Sequence, residues 1–131
     1  MSAPVFHMIG GAPQPVAPFS HAVECDGWIF VTGQLPIDAG DFDAPLPRGV
    51  EAQTRKVFDN LQRVLSGLQL TLADVVCARV FLTEFDSDYE AMNRVYESYF
   101  APDRRPARTC VGVSGLARRA RVEIDFVARR P

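Results

Sequence analysis

An eight-residue run, Val75-Val76-Cys77-Ala78-Arg79-Val80-Phe81-Leu82, lies between two segments of helical periodicity, and that placement constrains the fold more than any other feature of the sequence. A nearly continuous apolar run reads as a buried inner strand. On its N-terminal side, Val50, Val57, Phe58, Leu61, Val64, Leu65 and Leu68 fall on one stripe of a helix running from Gly49 to about Leu68. On its C-terminal side, Ser87-x-x-Glu90 has the form of a capping box opening a second helix. Tyr89, Met92, Val95, Tyr96, Tyr99 and Phe100 supply that helix's apolar face, and Pro102 and Pro106 end it. Strands joined through helices need crossover connections, which put both helices on one face of a sheet.

The remaining strands are short. Val5 to Ile9 reads as the first, before a loop rich in glycine and proline from Gly10 to Pro18. His21 to Cys25 and Trp28 to Gln34 are β-prone runs separated by Asp26-Gly27, a strong hairpin signal. The segment Leu35 to Pro47, with Pro36, Gly40, Pro45 and Pro47, is a surface excursion able to cover or rim a site. Ala107 to Ser114 and Arg121 to Ala128 close the chain. The order predicts an α+β fold in which a six-stranded mixed sheet carries two helices on one face. A chain of 131 residues suits a single domain over 1–131 with a sizeable core. Two helices cannot cover both sheet faces, yet both faces are apolar: Val76, Val80 and Leu82 point one way, Cys77 and Phe81 the other. The uncovered face predicts a homo-oligomer.

Composition narrows the function classes. No apolar run is long enough to cross a bilayer, and the N-terminus lacks the pattern of a secretory signal, so a cytoplasmic protein is expected. Three cysteines at scattered spacings fit reduced thiols better than a disulfide framework or a zinc site, and His7 and His21 are too isolated for a metal cluster. The net charge of −2 hides an asymmetry, since eight of the thirteen arginines fall at or after Arg104. That raises nucleic acid as a partner. The arginines are dispersed over two predicted strands without aromatic interleaving, which favours a solvated or intersubunit face instead.

The chemistry-bearing stretch is Pro106-Ala107-Arg108-Thr109-Cys110-Val111. Arg108 and Cys110, two apart on a strand, share a face with Gly112 and Ser114, where the arginine has no acidic partner in its own segment. A guanidinium on a rigid strand matches a carboxylate bidentately, so Arg108 either anchors a small organic acid or pairs with a neighbouring element. Cys110 has no strand-mate histidine to make it a thiolate, which favours a packing role. Glu123 lies in Arg121-x-Glu123-x-Asp125, where spacing alone favours an ion pair with a nearby arginine. His21 reads as a satisfied strand histidine or a proton carrier, Asn93 as a mid-helix amide able to bond a turn of backbone, and Thr32 as an ordinary β-prone residue.

Several stretches, in order, resemble the RidA/YjgF family: Pro18-Phe19-Ser20-His21-Ala22-Val23, Thr32-Gly33-Gln34-Leu35-Pro36, Gln53 with Asn60, Val80-Phe81-Leu82, Asn93-x-x-Tyr96, Pro106-Ala107-Arg108-Thr109-Cys110 and Val122-Glu123-Ile124. The resemblance runs from about Gly11 to Arg129. It implies an α+β domain similar to the Bacillus-type chorismate mutase, assembled as a homotrimer with ligand clefts between subunits. It also implies an enamine/imine deaminase that hydrolyses reactive 2-enamino and 2-imino acids to 2-keto acids and ammonia. By matching position, Arg108 would hold the substrate carboxylate and Glu123 would handle the attacking water. Cys110 would line the cleft, Thr32 and Asn93 would complete its polar rim, and Phe19 would wall it. Free imines already hydrolyse readily in water, so no metal or cofactor is called for. Phe19 stands where many members have tyrosine and cannot donate a hydrogen bond. Its context resembles the branch linked to aminoacrylate removal in pyrimidine breakdown. Ala117 replaces a usual proline, which would loosen the Arg118-Arg119 turn. The alternative from another class is a trimeric binding protein that senses 2-keto acids or related carboxylates without chemistry. An RNA-acting protein is the third reading.

Overall fold

Alternation in the strands and a 3.6-residue stripe in the helices dictate one dry layer between sheet and helices, and the computed structural model, which describes residues 3–131, has that form. The elements are β1 (Val5–His7), β2 (Ala22–Cys25), β3 (Trp28–Gln34), α1 (Val50–Gly67), β4 (Val75–Leu82), α2 (Phe85–Glu97), β5 (Ala107–Gly112) and β6 (Val122–Arg129). Short 3-10 turns at Leu72–Asp74 and Ala117–Arg119 precede β4 and β6. The six-stranded sheet has the order β1-β2-β3-β6-β4-β5, with only β4 and β5 parallel. The architecture is the predicted α+β one. At the β2–β3 hairpin, Asp26 (φ 50°) and Gly27 (φ 84°) are both left-handed, as the primed turn of an Asp-Gly pair requires.

Ile29 and Val31 of β3, Ala78, Val80 and Leu82 of β4, and Val122, Ile124, Phe126 and Ala128 of β6 are buried in one cluster with α1. Phe58 of α1 stacks on Tyr99 with centroids 4.1 Å apart and meets Tyr96 edge-on at 5.6 Å. A smaller apolar cluster of Leu35, Ile37 and Ala120, with Val16, Phe42, Leu46 and Leu116, lies under the 35–47 excursion. Asn60 of α1 ties this excursion down by donating to Leu35 O (2.9 Å) and Ile37 O (2.8 Å). Arg118, itself left-handed, donates to Phe42 O at 2.9 Å, so the turn carrying Ala117 is anchored rather than loose.

Three expectations are corrected. A register shift between Val75 and Cys77 places both Val75 and Ala78 in the core and leaves Val76 42% exposed, so Val76 does not share a face with Val80 and Leu82. The extra residue of a bulge breaks the period of two. Helix α2 opens at Phe85, not at Ser87, and no side chain caps it. Ser87 Oγ donates to Glu84 O instead, while Asp86 and Asp88 complement the helix dipole. Strand ends also move: β1 stops at His7 because the Ile9 N–H leaves the sheet for His21 Nδ1 (2.8 Å), β2 begins at Ala22, β5 stops at Gly112, and β6 runs from Val122 to Arg129.

The face away from the helices carries exposed Phe6, Trp28, Phe30, Val76 and Val111, the uncovered apolar sheet that the pattern demanded. Among the described residues no helix is long and apolar enough to cross a membrane.

Candidate functional site

Strand β5 is a sheet edge, and its parallel register with β4 sets Arg108 beside Ala78 and Cys110 beside Val80, both core-facing residues. Arg108 therefore points to the helix side, where α2 presents Tyr89, Asn93 and Tyr96. Arg108 Nη1 donates to Asn93 Oδ1 at 2.7 Å, and its guanidinium carbon lies 4.8 Å from the Tyr96 ring centroid and 5.9 Å from that of Tyr89. An amide oxygen and two ring faces orient a cation without neutralising it. Among the described residues no carboxylate pairs with Arg108. A cleft of about 390 Å³ opens over it, lined by Asn93, Tyr96, Glu97, Arg105, Pro106 and Arg108. Cys110 packs half-buried against the core, and burial pushes its thiol up while the Arg108 charge pulls the other way. A thiol held protonated is a poor nucleophile.

Glu123 belongs to the opposite face. It stands beside Phe81, between the buried Val122 and Ile124, and reaches across to β3 at Gly33. The register shift between Val31 and Gln34 opens the space it fills. An added Cβ at Gly33 would fall 2.9 Å from Glu123 Cδ, so only glycine leaves room for this carboxyl. The ion pair expected from spacing does not form. Arg79 is committed to Asp125, with Nη2 at 2.6 Å, and Arg121 to Asp88, also at 2.6 Å. Burial, with the Asp125 charge as a smaller cause, pushes the Glu123 carboxyl above its ordinary value. Thr32 and Phe19 flank the same place: both line the groove that also takes in Gly33, Arg79 and Asp125.

The predicted site residues thus form two groups. Arg108, Cys110 and Asn93 meet on the helix side at the β5 edge; Glu123, Thr32 and Phe19 meet on the open side. His21 is a buried structural histidine, its Nδ1 accepting from Ile9 N–H and its Nε2 donating to Pro13 O at 2.7 Å. Asn93 bonds Arg108 rather than backbone. Tyr89, Tyr96 and Gly33 read from sequence as helix-face or motif residues and not as site residues. The two tyrosines share a helix face with Asn93, at spacings of four and three, which was the available signal. Among the described residues no group of three or more metal-ligating side chains comes together.

Residues 9–130 match the sequence model of the family described as endoribonuclease L-PSP. This chain belongs to that family, the RidA/YjgF/RutC family. Relatives span nearly the same length. RutC of Acinetobacter baylyi, named a 3-aminoacrylate deaminase, is 39% identical over 90% of this chain and 91% of its own. A RutC family protein of Pyrococcus horikoshii is 34% identical over 89% and 90%. The crystal structure of the Rid family protein YyfA from Yersinia pestis superposes with a TM-score of 0.89 at 31% identity, covering 98% of this chain and 100% of that one.

Proposed function

We propose that this protein hydrolyses 2-imino and 2-enamino acids to 2-keto acids and ammonia in clefts shared between copies of the chain. The observation that carries the reading is Arg108: an oriented guanidinium over a cleft, without a carboxylate of its own. A small acid supplies that carboxylate. Water adds to the imine carbon, the C–N bond of the resulting carbinolamine breaks, and nitrogen leaves as ammonia. Nothing is oxidised or reduced. Glu123, half-buried and with a raised proton affinity, is suited to take a proton from the water and return it to nitrogen. An enamine first takes a proton at carbon and then follows the same course.

The opposite-face placement supports assembly. Arg108 and Glu123 of one protomer are separated by the sheet and cannot meet on one small ligand. The exposed apolar face beside Glu123 supports a partner copy there, whose β5 edge would bring its Arg108 to the Glu123 of the first, in keeping with the homotrimer that the family resemblance implies. Phe19 would wall the cleft, Thr32 and Asn93 would rim it, and Cys110 would line it. The name of the Acinetobacter relative supports an aminoacrylate as one substrate. The ribonuclease in the family description draws less from the C-terminal arginines than their number suggests, since four of the eight have structural tasks: Arg104 on Ala73 O, Arg118 on loop carbonyls, Arg121 on Asp88 and Arg130 on Glu24.

The test is to generate 2-aminocrotonate or 2-aminoacrylate in situ and follow its disappearance with and without protein. Acceleration that is lost in both Arg108→Ala and Glu123→Gln is expected. A charge-assisted contact of this kind is worth on the order of 2–5 kcal/mol. Binding of 2-keto acids with no acceleration by the intact protein would leave a sensor instead.

A further inference from the structure

The Arg108 cleft has a second cation on its wall. Of the consecutive pair Arg104-Arg105, Arg104 has a structural task, donating to the Ala73 carbonyl at 3.1 Å in the turn before β4. Arg105 has none of that kind. It lines the same cleft of about 390 Å³ as Arg108, and its partner is Glu97, on the same wall, at 4.0 Å with side chains 53% and 63% exposed. A pair that long and that exposed is weak. Arg105 stands two residues before β5 begins at Ala107, and Pro106 after it disfavours a helical backbone at Arg105, so α2, which ends at Glu97, is not continued into it.

We propose that this cleft favours acids with a second anionic group, read by Arg105 while Arg108 holds the first, so that the preferred substrates are 2-imino or 2-enamino acids on short dicarboxylic skeletons. The proposal rests on Arg108 being a carboxylate anchor, as the functional reading above requires. A dianion replaces the loose Glu97 contact of Arg105 by a closer one. Glu97 then opposes the second carboxylate, which gives the proposal its second probe.

Titration calorimetry with 2-oxoglutarate and 2-oxobutanoate, the dicarboxylic and monocarboxylic product-like acids, tests this on the intact protein at low and high salt. The expected result is a roughly fivefold preference for 2-oxoglutarate at low salt, as an exposed charge contact gives. That preference falls in Arg105→Gln, falls at high salt, and rises in Glu97→Gln. Equal affinity for the two acids, no binding of either, or a preference unchanged in Arg105→Gln overturns it. The outcome separates from that of the imine assay. Preference without hydrolysis removes the deaminase and keeps the dicarboxylate cleft, whereas hydrolysis of monocarboxylic imines by a protein with no such preference does the reverse.

Discussion

Replacing Gly33 by alanine isolates the position of one carboxyl group. Gly33 has no left-handed φ, so its backbone accepts alanine without strain. The obstacle is Glu123: the new Cβ would fall 2.9 Å from Cδ and 3.1 Å from Cγ, with a carboxylate oxygen closer still. Carbon pairs rest at about 3.5–4.0 Å, so the carboxyl must retreat by roughly 1 Å. That retreat is cheap, because the far end of a side chain with no hydrogen bond among the described residues can swing aside; the stability cost lies at the low end of overpacking, about 1 kcal/mol. Catalysis is less forgiving, since a displacement of about 1 Å costs on the order of 100-fold. Gly33→Ala is therefore expected to keep its Tm within a few degrees while kcat on an in situ imine falls roughly 10- to 100-fold. In a Glu123→Gln background the same substitution should do nothing more. The pH profile adds a sign. Burial raises the Glu123 carboxyl, so the wild-type acid limb lies above the ordinary carboxylate range, and a carboxyl pushed toward water moves it back down. Wild-type kcat in a folded Gly33→Ala protein, or equal losses with and without Glu123, refutes the placement of Glu123 at the chemistry.

Other outcomes follow from the same geometry. Glu123→Gln removes a half-buried carboxylate that has no partner among the described residues, so Tm at neutral pH should rise as activity falls; a lower Tm would mean that Glu123 holds the fold. Glu24 is gripped by Arg130 at 2.6 and 2.9 Å and by His7 at 3.1 Å, which hold its carboxyl at about 2 against opposing burial. A depressed carboxyl contributes stability that is complete above its unfolded value and lost as pH falls toward 2. Denaturant titrations at pH 5 and pH 3 should therefore differ by about 1–2 kcal/mol more in wild type than in Glu24→Gln, after allowing for solvent screening. Asn60→Ala strands the Leu35 and Ile37 carbonyls and should cost about 2–3 kcal/mol by urea unfolding, with proteolysis beginning in the 35–47 excursion.

The two helices and all six strands were legible because each buries one face, and burial writes its period into the sequence. What failed was local. At Val76 a bulge moved one residue across the sheet, and a bulge needs no special residue. At Ser87 a motif with the form of a capping box lost to a helix that begins two residues earlier, where Asp88 is claimed by Arg121. Arg108 lacked an acidic partner in its own strand, and the fold supplied none from α2. Glu123 was harder: spacing made an ion pair with a nearby arginine the better reading, and only the tertiary structure reveals that Asp125 takes Arg79 and Asp88 takes Arg121.

That register also decides what one chain can do. Alternation tells which residues of a strand share a face, but not which face of one strand continues that of another. Arg108 and Glu123 each sit on an interpretable strand, yet nothing in either motif says that β6 enters between β3 and β4. Once it does, the β4–β6 pairing sets Phe81 beside Glu123, while the β4–β5 pairing sets Ala78 beside Arg108. Phe81 and Ala78 are three apart on β4, an odd separation, so the carboxylate and the guanidinium must face opposite ways. On the proposed reading, with Arg108 as acid anchor at the outer edge and Glu123 as proton carrier on the open face, the chemistry is divided between copies. On that reading, covering the exposed Phe6, Trp28 and Phe30 is what would bring the two halves together, so their burial would serve catalysis as well as assembly.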